Sequence, residues 1–313
     1  MSRLISGLLL LCLCAVCAQA QPPTPATQSA EAIPQVTVSA QREKIEPQVH
    51  RFVNDFLYLE NDEEPARWIS RVCPAVMGMK REEAEFILLR LSEIARKAGV
   101  PLDGEHCKPA NLYVIATAHP AEVLHAWDKK THGRIFGDAA LVVENSFIDT
   151  PLPVRAWYNS TQVDSHSAAA GLVDLPPALS VGGNRTTFQA PGFTKSSASR
   201  IATVAAWSLS DVFIVVDSTK MGGFTWRQLA DYVGMYAYSR LKPGIRHSDS
   251  PTILDLFNPA SGQTASGLTA WDEAFLDALY HTNPALVGQN RLMVVRMVKH
   301  IVPDASPEPP SPQ

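Results

Sequence analysis

The stretch VFIVVDSTKMGGFTWRQLADYVGMYAYSRL, residues 212–241, decides how the chain folds. Val212 to Asp217 is a short β-branched run with the length and composition of a strand. Gly222 and Gly223 then supply a turn. From Thr225 to Leu241 the apolar residues Trp226, Leu229, Ala230, Val233 and Ala237 recur at helical spacing, so a long amphipathic helix follows the strand.

Working outward, the same two patterns recur. Asn111–Thr117, Ala139–Val143, Val154–Tyr158 and Ile201–Ala206 have strand length and composition and are separated by Gly, Pro, Asn and Ser clusters. Helical periodicity marks Pro47–Leu59, Arg81–Ala98 with Gly99 as its stop, Ala121–Lys130 after the break at His119-Pro120, Trp271–His281 capped by Thr269, and Gln289–Ile301. Strands and helices in this mixture predict an α+β class, a mixed sheet flanked by long helices, in one globular domain over residues 47–302. Leu172–Lys195, with its Pro176-Pro177 and Gly182-Gly183 pairs, reads as a long loop or hairpin, either a lid or an insertion.

The ends of the chain differ from the middle. Arg3, an apolar run from Leu8 through Val16, and Ala18-Gln19-Ala20 compose a secretory signal peptide over residues 1–20, with cleavage after Ala20. The run is shorter than the roughly 20 apolar residues of a membrane-spanning helix, so no span is expected after cleavage. Residues 21–46 and 303–313 are rich in Pro, Ser, Ala, Gln and acid and read as disordered. Within the first, Val36 to Arg42 resembles the energy-coupling box at the start of outer-membrane receptors; its plain reading is an edge strand or an extended linker. No train of amphipathic strands follows that would build an outer-membrane barrel.

Of five cysteines, three fall in the signal segment. Cys73 and Cys107 remain as a pair, and in an oxidising compartment they are expected to bond. Neither sits in a cluster of the four close ligands that structural zinc requires. The formal net charge is −4 and there is no Lys/Arg stripe, which gives nucleic acid no support as a partner. The expected location is the periplasm or outside the cell.

In the second half, a strand ending in Asp217 is followed by the Gly-Gly turn and the long helix. An irregular segment then runs through Ser250 and Phe257, and Leu268-Thr269-x-x-Asp272 precedes a helix ending Leu279-Tyr280. This order, over roughly residues 81–281, resembles zincin-like and more narrowly metzincin-like bacterial exported proteins. The resemblance implies a zinc motif on the long helix, where two His one turn apart hold the metal and a Glu serves as base. Setting Gly234 on the glycine of the extended motif puts Arg227 and Asp231 at the first two His positions, Gln228 at the Glu and Ala237 at the third His. Arg cannot ligate zinc, Gln cannot take a proton at neutral pH and Ala offers no ligand. The resemblance therefore implies a decayed site, with no metal and no cofactor.

Arg227 and Asp231 stand at i and i+4, which suits either a solvated ion pair on the helix or a reused cleft in which Arg227 and Gln228 face an anion. Alternation along Arg155-Ala156-Trp157-Tyr158 puts Arg155 and Trp157 on one face of a strand, as packing or as a ligand platform. Arg227, Gln228, Asp231, Arg155 and Trp157 are the candidate ligand-binding residues, and none is catalytic. His119, His125 and His132 read as surface residues, His247-Ser248-Asp249-Ser250 as a polar turn, and the sequons at Asn159 and Asn184 as turns. The expectation is an exported, non-catalytic domain acting in binding or in envelope maintenance, with an envelope protein as the partner class. Two alternatives stay open: a hydrolase assembled from Glu144, Arg155, Asp217 and His247 beneath the 172–195 loop, and an accessory to outer-membrane transport that offers residues 36–42 as a strand.

Overall fold

The structure is a computed structural model that describes residues 34–59, 64–104, 107–136, 141–165, 205–244, 248–258 and 265–304. The signal segment, residues 21–33, the 172–195 segment, Asn184, His247 and residues 305–313 lie outside the described residues.

Helix α1 (Pro34–Phe56) leads to strand β1 (Pro74–Met77), helix α2 (Arg81–Ala98) and strand β2 (Leu112–Thr117). Helices α3 (Pro120–Thr131) and α4 (Leu141–Asp149) precede the long strands β3 (Val154–Asp164) and β4 (Ala205–Asp217). Helices α5 (Trp226–Tyr238), α6 (Ala270–His281) and α7 (Gln289–Ile301) close the chain. The strands form one mixed sheet in the order β1-β2-β4-β3. β1, β2 and β4 run parallel, while β3 lies antiparallel to β4 at the edge, with Arg155 opposite Val215.

The period of two along β4 explains the layering. Val212, Ile214 and Val216 enter the main core, which also takes its side chains from α1, α2, α5, α6 and α7. Phe213 and Val215 point the other way and meet Ile115, Leu124 and Ile148 beneath α3 and α4. Helices therefore cover both faces, and β4, next to the middle of the sheet, is buried almost throughout. On the α3 face the Tyr113 and Phe213 rings stack at 5.1 Å with Trp127 edge-on to both.

Helix ends follow their sequence signals. Gly99 ends α2 in the left-handed region at φ 80°, donating its N–H to Ala95 O. Thr225 and Thr269 open α5 and α6 with capping boxes closed by Gln228 and Asp272. Cys73 and Cys107 form a disulfide, Cα–Cα 5.8 Å, tying the residue before β1 to the segment that leads into β2. Among the described residues no helix is long and apolar enough to cross a membrane.

Four expectations are corrected. The linker assigned to residues 21–46 gives way at Pro34, where α1 begins, so Val36 to Arg42 is helix and neither edge strand nor extended linker. Proline is suited to a helix start because its missing N–H has no partner there. The early turns of α1 are held from outside by Arg42, which donates to Val302 O at 2.8 and 2.9 Å and pairs with Asp304 at 3.0 Å. Of the strand expected at 139–143, the described residues 141–143 open α4, since a short apolar run does not by its period separate a strand from a buried helix. The strands read at 201–206 and 212–217 are one in the described part, β4, whose polar interior residues Ser208 and Asp211 are buried. Asn159 lies inside β3 at a bulge, where it donates to Ile135 O and accepts from Trp157 Nε1, so it is not a turn.

Candidate functional site

Two groups of the proposed ligand-binding residues lie at opposite ends of α5. At its N-terminal end, Gln228 is spent on local structure: its Oε1 accepts from Thr225 N at 3.0 Å and its Nε2 donates to Ala265 O at 2.8 Å. Asp231, one turn on, is fully buried. Arg90 of α2 donates to it from Nε at 2.5 Å and from a second nitrogen at 3.2 Å, a two-pronged contact that fits a carboxylate. Leu268 N–H adds a third donor at 2.9 Å. These bonds raise the Arg90 guanidinium above its ordinary range.

Arg227 reaches Asp231 only at 3.9 Å and is 62 % exposed. The Asp231 carboxylate is thus closed in by α2 and the loop before α6, and is no half of a solvated pair. Gly267 is required by this approach, because a Cβ there would sit 2.5 Å from Asp231 Oδ2. Gly234 has a similar role, with Ile94 of α2 packed where its Cβ would be. Ala237 is buried, and its carbonyl accepts from Trp68 Nε1 at 2.8 Å.

At the other end of α5, Arg155 and Trp157 line a cavity of about 670 Å³ along the outer side of β3. Its aromatic walls come from Tyr58, Phe147, Trp157, Tyr158 and Tyr236. The wall is built by pairing the end of α1 with the residues after α5: Tyr58 N donates to Arg240 O at 3.0 Å and Lys242 N to Phe56 O at 2.9 Å. Tyr158 OH donates to Tyr236 O at 3.0 Å, which joins the edge strand to α5. Burial pushes the Tyr236 hydroxyl up to about 12 and Tyr158 well above its usual range, so both stay protonated donors.

Three basic side chains, Arg155, Arg240 and Lys242, line the cavity, and none of the described residues lining it is acidic. Arg240 is held over the Tyr58 ring at 4.3 Å and donates to Ser160 Oγ at 2.9 Å. Arg155 is 6 % exposed. Its Nη1 donates to Ile148 O, and its Nε is buried with no hydrogen-bond partner among the described residues. Desolvation by burial lowers the Arg155 guanidinium from its ordinary range, against the pull of Asp217 and Asp149 nearby.

The remaining candidates are scattered. His119 and His125 are exposed beside Glu122 and Asp149, and His132 ends α3 in the left-handed region. Ser248 to Ser250 form a polar turn through Ser250 N to Ser248 Oγ. Asp217 caps a 3₁₀ turn through Thr219. The side chain of Glu144 and all of His247 lie outside the described residues, so the four residues of the dispersed hydrolase are not brought together within them. Among the described residues no group of three His, Cys, Asp or Glu is placed to hold a metal ion.

Sequence reasoning missed Arg90, Tyr58, Tyr236 and Arg240. Arg90 had one readable signal, a charge in the middle of an otherwise well-patterned helix. Tyr58 and Arg240 had none, because their contact joins residues far apart in the chain. Comparison of the chain with protein-family models, with curated proteins and with solved structures finds no match.

Proposed function

We propose that the chain is an exported, non-catalytic binding domain on a zincin-like scaffold, whose former zinc-motif positions now serve as structural contacts. The observation that carries this reading is the Arg90–Asp231 pair. At the position the motif gives to a metal-binding His stands a buried carboxylate already bonded to a guanidinium and to Leu268 N–H. Its neighbours support the same reading. Gln228 is consumed by capping, and Ala237 contributes only a backbone acceptor. A metal would have to displace Arg90 from Asp231, and among the described residues no group of three His, Cys, Asp or Glu is placed to hold one. The scaffold itself is supported by element order: parallel strands, an antiparallel edge strand, then the long helix and the Thr269–Asp272 cap.

Export to the periplasm or beyond is supported by the disulfide, since such bonds persist mainly in oxidising compartments. An envelope protein remains the proposed class of macromolecular partner, although helical residues 36–42 argue against capture through a strand at that segment. The test is elemental analysis of the purified protein, paired with its melting temperature with and without EDTA. The expected result is no zinc and no shift. Near-stoichiometric zinc with a chelator-induced fall in melting temperature would overturn the proposal and reopen hydrolysis.

A further inference from the structure

We infer that the cavity beside β3 binds a small amphipathic carboxylate, with Arg155 as the group that receives its charge. The inference rests on the binding role proposed above and gives that role a ligand class. Three features of the cavity point to one chemistry. Its volume of about 670 Å³ lies in the range of sites that enclose a small organic molecule. Its walls are aromatic and aliphatic, with Phe147, Trp157, Tyr236 and Leu241 offering flat apolar surface. Its charges among the described residues are of one sign, since three basic residues and no acidic one line it there.

Arg155 decides the position of the ligand's charge. A guanidinium is almost always matched with a carboxylate or a full set of acceptors when it is buried. Arg155 has the Ile148 carbonyl at Nη1, an unpartnered Nε, and no carboxylate within ion-pair distance among the described residues. Arg240, by contrast, is held by Ser160 and the Tyr58 ring, and Lys242 donates to Asn54 O at the exposed rim. An under-satisfied guanidinium beside aromatic surface suits a monocarboxylate, whose single charge it can match. A phosphate, with more charge and more acceptors, would need several cations turned to it together, whereas Arg240 and Lys242 are engaged with Ser160 and Asn54. Trp157 is the neighbour across which the ligand's apolar body lies; its ring is itself braced edge-on by Phe136 at 4.9 Å and Phe147 at 5.2 Å.

The experiment is calorimetric titration of the purified protein with 2-naphthoate and with its uncharged analogue 2-naphthamide. The acid is expected to bind roughly ten- to a hundredfold more tightly than the amide, the difference made by a charge-assisted contact. Arg155→Met is expected to bring the acid down to the affinity of the amide while leaving the amide unchanged. Equal affinities for the two probes in the unaltered protein, or binding of neither, would overturn the inference. So would loss of the acid's advantage in Lys242→Ala but not in Arg155→Met, which would put the charge at the rim. If Arg155→Met does not fold, the comparison of acid with amide in the unaltered protein still decides. Failure of binding in a zinc-free protein removes this inference and leaves the proposed function standing, whereas bound zinc overturns the proposed function whatever the probes do.

Discussion

Asp231 and Asp272 are both buried carboxylates on helices, and their surroundings give them different tasks. Asp231 meets a guanidinium, so its charge is matched inside the fold. Asp272 meets only neutral donors: Thr252 Oγ1 at 2.6 Å, Ile253 N at 2.9 Å, and the hydroxyl and N–H of Thr269, each at 2.9 Å. Burial outweighs these bonds and pushes its carboxyl up to about 6. Because the folded value lies above the unfolded one, the native state binds the extra proton. The stability from this group is fully present below the unfolded value near 4 and is lost as pH rises through about 6. The loss amounts to about 3 kcal/mol at most, at roughly 1.4 kcal/mol for each unit. Chemical denaturation at steps between pH 4 and 7 should show this decline, and Asp272→Asn, though less stable throughout, should flatten it.

Gly267 and Gly234 show how residue choice near α5 follows from close approach. Alanine at Gly267 would press a Cβ against the Asp231 carboxylate, which Arg90 and Leu268 hold in place. Alanine at Gly234 would meet only the far end of Ile94, which can turn aside. Gly267→Ala should therefore cost more stability than Gly234→Ala, with the latter near the lower end of the about 1–3 kcal/mol typical of overpacking. Equal midpoints in denaturant would show that the carboxylate is not held as described.

At the scale of elements, α2, α6 and α7 were legible almost to the residue and α5 to within three residues, each from a periodic apolar face, with Gly99 and Thr269 as end signals of α2 and α6. The strands at 112–117 and 154–158 were legible from their length and composition, although the second continues through Asn159 to Asp164. What failed was of another kind. The first half of α1 has the β-prone Val36-Thr37-Val38, and a tertiary contact, Arg42 with Val302 and Asp304, ties it to the rest of the fold. Removing that contact by Arg42→Ala should loosen the first turns of α1 while leaving Val49 to Phe56 packed. Amide hydrogen exchange would then show faster exchange before Pro47 and unchanged protection after it. The interior of β4 was read as a break at Ser208 to Asp211 because polar residues rarely sit in a central strand, yet here they are buried within it.

For the whole molecule, the candidate residues were partly legible and their grouping was not. Alternation along β3 put Arg155 and Trp157 together, and both line the cavity. The spacing of Arg227 and Asp231 suggested a pair along one helix, but the stronger partner, Arg90, comes from 141 residues away and no helical pattern reveals it. The disulfide was legible from cysteine arithmetic alone, and it anchors β1 and β2, the parallel side of the sheet. Replacing both cysteines with serine should cost about 4 kcal/mol by loop-closure entropy, read as a lower denaturant midpoint. An unchanged midpoint would mean that the bond adds nothing to the fold.

The account turns on the claim that α5 holds structure at the positions where a zincin would hold metal. The most direct measurement is a double-mutant cycle in denaturant with Arg90→Met, Asp231→Leu and the pair together. Arg90→Met should cost about 3 kcal/mol or more by leaving Asp231 buried beside only the weaker reach of Arg227, and the double variant should recover much of that loss. A coupling near zero, with both single variants as stable as the parent, would contradict the claim and return Asp231 to the candidate ligand-binding residues.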